Sequence, residues 1–275
     1  MGYGADRREI INLCCASGGM EIFMRISVIT GASSGMGRDF VRMIDKIEDC
    51  DEIWVIARRK DKLEELKSET AKTIRPIELD LSVNENIEKY GELLKEANAQ
   101  VVSLVNAAGF GKFGSFEDIP LNEQMNMIDL NCKALMAVTY LTLPYMPEGS
   151  KVYQLGSLSS FQPVPYIATY GATKAFVLSL SRALNKELKN RKIKMISVCP
   201  GWVKTDFFDR AVRDDTIKYY NKFFTSEEVV NRAVRDMKRG KDVSVCGASI
   251  RGQVLLTKLL PHKLVMSIWC KQQKK

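Results

Sequence analysis

The chain has a single histidine, His262, close to its C-terminal end. Any mechanism that needs imidazole as a base or a metal ligand therefore has one candidate, and no cluster of cysteines or carboxylates replaces the missing rings. A zinc centre is excluded on that ground, and no bound metal is expected. The seven cysteines include the adjacent pair Cys14 and Cys15 but no C-x-x-C spacing. An odd count without a framework fits free thiols in a reducing, cytoplasmic compartment. Long apolar runs are missing too. The longest, such as Ile53-Trp54-Val55-Ile56-Ala57, have the length of strands and not the ~20 residues a membrane helix needs. The N-terminal MGYGADRREIINLCCASGG mixes charges into its apolar residues, so it has no signal-peptide shape, and residues 1–23 read as a poorly ordered leader. Acidic residues are absent from Arg251 to Lys275, a stretch holding six basic residues of the net +8 and leaving +2 for the first 250 residues. The positive excess belongs to a tail and not to a broad face, which argues against nucleic acid as a partner.

What the chain does have is alternation. ISVIT (26–30) leads to a helix from about Met36, and IWVIA (53–57) leads to DKLEELKSET. IELDL (77–81) leads to NENIEKYGELLKEA, and VVSLV (101–105) to a loop and one long helix through LNEQMNMIDLNCKALMAVTYL. KVYQLGS (151–157) leads to the helix YIATYGATKAFVLSLSRALNKELKN; IKMISVCPG (193–201) is a buried strand and VSVCG (243–247) a last one. Short apolar strands alternating with helices of this length require right-handed crossovers and a parallel sheet covered on both faces. The pattern predicts an α/β fold: a Rossmann-like doubly wound parallel sheet in three α/β/α layers. It forms a single domain over residues 24–250, followed by a basic amphipathic segment, 251–275.

The turn after the first strand is TGASSGMG, with Gly31, Gly35 and Gly37 around Ser33, Ser34 and Met36. In a doubly wound sheet this is where backbone N–H groups and a helix N-terminus receive a pyrophosphate, although the spacing is not G-x-G-x-x-G. Four more stretches stand at carboxyl ends of strands, where such sheets bind ligands. They are Ala57-Arg58-Arg59, Asp80-Leu81-Ser82, Asn106-Ala107-Ala108-Gly109 and Pro200-Gly201-Trp202-Val203-Lys204-Thr205. Asn131 lies on the long helix. Ser157 ends the fifth strand thirteen residues before Tyr170, and Tyr170 and Lys174 sit one helical turn apart.

In this order the motifs resemble the short-chain dehydrogenase/reductase family, whose TGxxxGxG, NAG, Ser…YxxxK and PG patterns match TGASSGMG, NAAG, Ser157…Tyr170-GAT-Lys174 and PG. The resemblance runs from about Ile26 to Gly247. It implies an oxidoreductase moving hydride between a nicotinamide and a carbonyl or secondary alcohol, with Asn131, Ser157, Tyr170 and Lys174 in the catalytic positions. It also implies that Lys174 bonds the nicotinamide ribose, Asp80 the adenine amine and Thr205 the nicotinamide amide. Asn106 and Gly109 would line the adenosine side, and Leu81, Ala107, Pro200, Gly201 and Val203 complete the cofactor set. Residues of about 204–240 would form the substrate lid, and the enzyme would be a dimer or tetramer.

The chemistry is consistent with those positions. Carbonyl reduction needs a proton for the developing alkoxide, and a phenol of pKa ~10 titrates too high to serve as a base unless a neighbouring ammonium lowers it. Tyr170 is then the acid or base and Lys174 its tuner. Ser157 donates to the substrate oxygen, with Ser159 and Ser160 as local alternatives that only the interval to Tyr170 sets aside. Asn131 either holds a water on the proton path or is a helix-interior asparagine bonded to backbone. Arg58 and Arg59, with no acid before Asp61, predict NADP(H) in preference to NAD(H), since a guanidinium suits a 2′-phosphate. Trp202, Phe207, Phe208, Tyr219, Tyr220, Phe223 and Phe224 form either the core of the lid or the wall of an apolar pocket for a hydrophobic ketone, to which the loop FGKFGSF (110–116) adds apolar wall. Thr225-x-x-Glu228 predicts a capping box. Leu255, Leu256, Leu259 and Leu260, then Leu264, Val265, Ile268 and Trp269, repeat at helical spacing around Pro261. Such a stripe is expected to cover the pocket or a subunit interface, with weak attachment to an anionic membrane as the lesser alternative. A catalytically silent NADP-binding regulator or scaffold is the other functional class; the presence of Ser157, Tyr170 and Lys174 favours the enzyme.

Overall fold

Ile26, Val28 and Ile29 in the first strand are all fully buried, so this strand hides both of its faces. That is the signature of a central parallel strand, and β1 (Arg25–Thr30) pairs in parallel with β2 (Glu52–Ala57) on one side and β4 (Gln100–Asn106) on the other. The computed structural model describes residues 23–212 and 216–275; all of the predicted leader but Phe23, and residues 213–215 of the predicted lid, lie outside them. With β3 (Thr73–Glu78), β5 (Lys151–Leu155), β6 (Lys194–Val198) and β9 (Val243–Ser244), the main sheet runs β3-β2-β1-β4-β5-β6-β9. The order reverses between β1 and β4, so the carboxyl ends of these strands open a crevice there.

Two cores cover the sheet. On one face Ile29, Val55 and Ile196 pack with Phe40, Val41 and Ile44 of α1 (Gly35–Ile47) and with Val230, Val234 and Met237 of the helix Ser226–Lys238. On the other, Ile26, Val28, Trp54 and Leu104 pack with Ile87, Tyr90 and Leu94 of the helix Asn84–Ala97 and with Val138. The three-layer doubly wound architecture is therefore as the alternation predicts. The capping box is present, with the Thr225 hydroxyl accepting from Glu228 N–H at 3.1 Å.

Several elements differ from the expectation. The third strand starts at Thr73, not Ile77, and includes Pro76, opposite Val55. Proline has no N–H to give a second neighbour, and β3 is an edge strand that needs none. Leu79, Asp80 and Leu81 thus follow the strand. The DKLEELKSET helix is a short α-helix, Lys60–Glu64, and a 3-10 turn, Glu65–Ser68. The long helix is interrupted: α-helical at Leu121–Ile128 and Leu135–Thr142, it widens to a π-turn at Asp129–Ala134, which carries Asn131. The last strand has only two residues. A small parallel pair, β7 (Trp202–Lys204) with β8 (Phe223–Thr225), brackets most of the segment predicted as a lid and has no alternating signal to announce it. The tail forms two helices, Ala248–Leu259 and His262–Gln272, separated at Pro261.

Candidate active site

The crevice widens into one cavity of about 1190 Å³ that runs from the glycine turn to the tail helices. Gly31 and Gly37 shape its first end. A Cβ on Gly31 would lie 2.6 Å from the Ala108 nitrogen, and one on Gly37 would lie 2.1 Å from the Gly31 carbonyl oxygen. Gly31 also holds a positive φ of 66°. No side chain fits at either place, so the turn closes on itself and leaves its backbone against the cavity. Ser33, Ser34, Gly35, Met36, Leu81, Ala107, Gly109, Pro200, Gly201, Val203 and Thr205 also line it. The backbone cradle at a strand-to-helix turn fits a dinucleotide pyrophosphate.

The two arginines separate. Arg59 donates from Nη2 to the Ser33 hydroxyl at 3.2 Å, which brings a guanidinium to the glycine turn. Arg58 lies 3.7 Å from Asp80, whose other oxygen accepts from both Ser82 N–H and the Ser82 hydroxyl. Arg58, Arg59 and Asp80 all line the cavity.

At its other end Ser157, Tyr170 and Lys174 meet. Ser157 caps the turn Leu158–Phe161, its hydroxyl accepting from Ser159 N–H at 3.2 Å and hydrogen-bonding Tyr170. Ser160 is occupied by Ser157 N–H at 3.1 Å. Ser159 Oγ lines the same wall, buried and without a hydrogen-bond partner among the described residues. Lys174 Nζ donates to the Leu155 carbonyl at 2.7 Å and lies 5.7 Å from the centre of the Tyr170 ring.

The electrostatics correct the simple expectation. Burial pushes the Tyr170 phenol up to about 12, with the Ser157 hydrogen bond pulling the other way. Burial also brings the Lys174 ammonium down to about 8. In this enclosed pair the loss of water is the largest influence on both groups. At neutral pH the phenol keeps its proton, which is the state a donor to an alkoxide requires.

Two predicted site residues stand behind the cavity and not in it. Asn131 is fully buried; its Oδ1 accepts from Phe110 N–H at 3.0 Å, and its Nδ2 donates to the Phe110 carbonyl at 2.8 Å and to Thr173 Oγ1 at 3.1 Å. Both N–H groups are used within the protein, one of them on the Phe110 backbone. Asn131 clamps the loop after Gly109 to the helix carrying Tyr170 and Lys174. Asn106 points into the protein as well, donating to Thr139 Oγ1 at 3.0 Å and Gln154 Oε1 at 3.1 Å, while Ala107, Ala108 and Gly109 after it line the cavity.

Aromatic rings enclose this other end. Tyr170 lies 5.6 Å from Phe207 and 6.4 Å from Phe113, and Phe113 lies 6.0 Å from Trp202 (ring centres). The tail closes this end: Leu256, Leu260, Val265, Ile268 and Trp269 are on the wall. Trp269 donates from Nε1 to the Pro165 carbonyl at 3.0 Å. Gln273 is completely buried; its Oε1 accepts from Lys218 N–H at 2.8 Å and Tyr219 N–H at 2.9 Å. The leucine repeat foretold a covering role for the tail, but no pattern singles out Gln273 within KQQKK.

Comparison with known proteins agrees with this geometry. The family model described as short chain dehydrogenase matches residues 25–216. A sulfoacetaldehyde reductase of Chromohalobacter salexigens is 33% identical over 191 residues, covering 66% of this chain and 74% of that protein. An oxidoreductase of Staphylococcus epidermidis is 30% identical over 183 residues, 66% of this chain and 79% of its own. Among solved structures, a short-chain dehydrogenase from Sphingobium yanoikuyae in complex with NADPH superposes with a TM-score of 0.73 at 26% identity, over 89% of this chain and 95% of that one. With a parallel doubly wound sheet, a glycine cradle and a serine–tyrosine–lysine cluster on one cavity, the chain belongs to the short-chain dehydrogenase family and is an NAD(P)-dependent oxidoreductase.

Proposed function

We infer that the enzyme is an NADP(H)-dependent carbonyl reductase acting on a bulky apolar ketone. The observation that carries this reading is the buried Tyr170 phenol beside Ser157 and Lys174 at an end of the cavity where Phe113, Trp202, Phe207, Phe208, Leu260 and Trp269 are on the wall. Bound NADPH supplies the hydride. Ser157 orients the substrate oxygen and Tyr170 delivers the proton to it. Lys174 holds positive charge next to the phenolate that is left. Asn131 acts as a positioning residue through Phe110 and Thr173. Arg59, at the glycine turn, and Arg58, beside Asp80, are the groups for a 2′-phosphate, with no carboxylate at the end of β2 to favour a free ribose hydroxyl.

Self-association is part of the same proposal. Leu121, Met125, Met136 and Tyr140 form an exposed apolar stripe along the interrupted helix, suited to a second copy.

The test is NADPH absorbance decay against a graded ketone panel, with NADPH binding measured separately. Turnover should favour bulky apolar ketones over small polar ones. Tight NADPH binding with no turnover across the panel would instead support a silent regulator or scaffold.

A further inference from the structure

The two tail helices turn much of their apolar surface outwards. Ile250, Val254, Thr257 and Val265 make their buried contacts, and Trp269 and Gln273 anchor the second helix to Pro165 and to the lid backbone. Leu255, Leu259 and Leu264 are left at 60%, 72% and 48% exposure. Leu255 and Leu259 are one turn apart, as are Leu264 and Ile268, so each helix carries an outward apolar ridge. Leu256 and Ile268 are both exposed and on the cavity wall, which makes this patch continuous with the rim of the cavity.

Charge decides what fits the patch. Arg251, Lys258, Lys263, Lys271, Lys274 and Lys275 are all exposed, and residues 251–275 contain no acid. A second copy on a two-fold axis would oppose this basic patch to itself, and like charges across an interface count against association. The stripe of Leu121, Met125, Met136 and Tyr140 has mixed charge instead, with Lys133 paired to Asp129 at 2.7 Å, and suits self-contact better. An anionic bilayer offers an acyl boundary for the leucines and phosphates for the lysines at once.

We propose that the outer face of residues 251–275 docks on an anionic lipid surface, setting the rim of the cavity against the bilayer so that apolar substrates enter from it. The substrate half of this statement rests on reading the cavity as a ketone site; the docking half does not.

Flotation of the full chain with vesicles of phosphatidylcholine alone or mixed with phosphatidylglycerol tests docking without any turnover. Binding should rise at least ~10-fold with the anionic lipid and fall about as far at ~0.5 M salt. Leu255→Gln with Leu259→Gln, and separately Lys263→Glu with Lys271→Glu, should each lower it ~10-fold at an unchanged thermal midpoint. None of the four lines the cavity, so turnover of a water-soluble ketone should stay within about twofold, while turnover of a ketone dissolved in the vesicles falls ~10-fold. Equal binding to both vesicle types, no binding to either, or either double variant floating like the parent protein overturns the proposal. So does a drop in sedimentation mass for the glutamine pair, which would make the patch a contact between copies. Strong anionic binding with no turnover of any ketone would leave docking standing and remove the reductase reading alone.

Discussion

The two ends of the cavity are built from different materials. The cradle end is backbone: Gly31 and Gly37 leave no room for a Cβ, and the turn they form is continuous with a strand buried on both faces. The other end is side chain: Phe113 meets Tyr170 and Trp202 edge to face, Phe207 lies tilted against Tyr170, and Trp269 packs on the same cluster from the tail. The cradle is local and steric, so it tolerates little change. The aromatic end is assembled by packing, so its shape can be altered in small steps without loss of the fold.

The sharpest way to break this contrast lies where the two ends meet. Tyr170→Phe keeps the ring against Phe113 and Phe207 but removes the proton carrier. We expect kcat to fall at least ~100-fold with cofactor affinity retained, as measured by steady-state turnover and by NADPH titration. Turnover close to that of the parent enzyme would move proton donation to another group.

At the cradle, Arg59→Ala should lower the preference for NADPH over NADH by ~10–100-fold, the range for loss of a charge-assisted pair. Arg58→Ala should have a smaller effect, because that guanidinium is shared with Asp80. If kcat/KM for the two cofactors is already equal in the parent enzyme, the arginines do not select.

The pH profile sharpens the account of the catalytic pair. Lys174 titrates at about 8 and its ammonium is lost above that, so reduction should be flat from about pH 6 to about pH 7.5 and then fall about tenfold per unit. Tyr170, at about 12, stays protonated across the whole range and contributes no limb of its own. A profile that stays level to about pH 10 would show that reduction does not need the Lys174 charge.

The smallest change belongs to the tail. Gln273→Ala strands the Lys218 and Tyr219 N–H groups, at a cost of about 1–3 kcal/mol confined to the lid. KM for a bulky ketone should rise a few-fold, while Kd for NADPH stays the same because Gln273 makes no contact with the cradle. Equal losses in both would mean that the tail supports the whole cavity and not only its substrate end.

Much of the cradle was legible because it depends on short-range chemistry. TGASSGMG, NAAG and the Tyr170–Lys174 interval name nearly every residue at that end and at the junction. Legibility fails where a residue's role is set by what lies opposite. Asn106 stands in the NAAG motif and Asn131 on the long helix, yet their amides are used internally, by Thr139 and Gln154 in one case and by Phe110 and Thr173 in the other. Pro76 hides a strand because proline in a central strand breaks a ladder, and only the strand order shows that β3 is an edge.

By itself, then, the sequence determined the layer order, the place of the glycine turn and the identity of the Ser157–Tyr170–Lys174 cluster. Apolar periodicity, glycine stereochemistry and one turn of helix are properties of neighbouring residues. Only the tertiary structure decided that burial raises Tyr170 and lowers Lys174, that Asn131 is a clamp, and that Trp269 and Gln273 close a pocket built more than a hundred residues earlier at Phe113. Those outcomes depend on how far water is excluded and on which backbone groups of remote segments come within hydrogen-bond reach, and no local pattern carries either quantity.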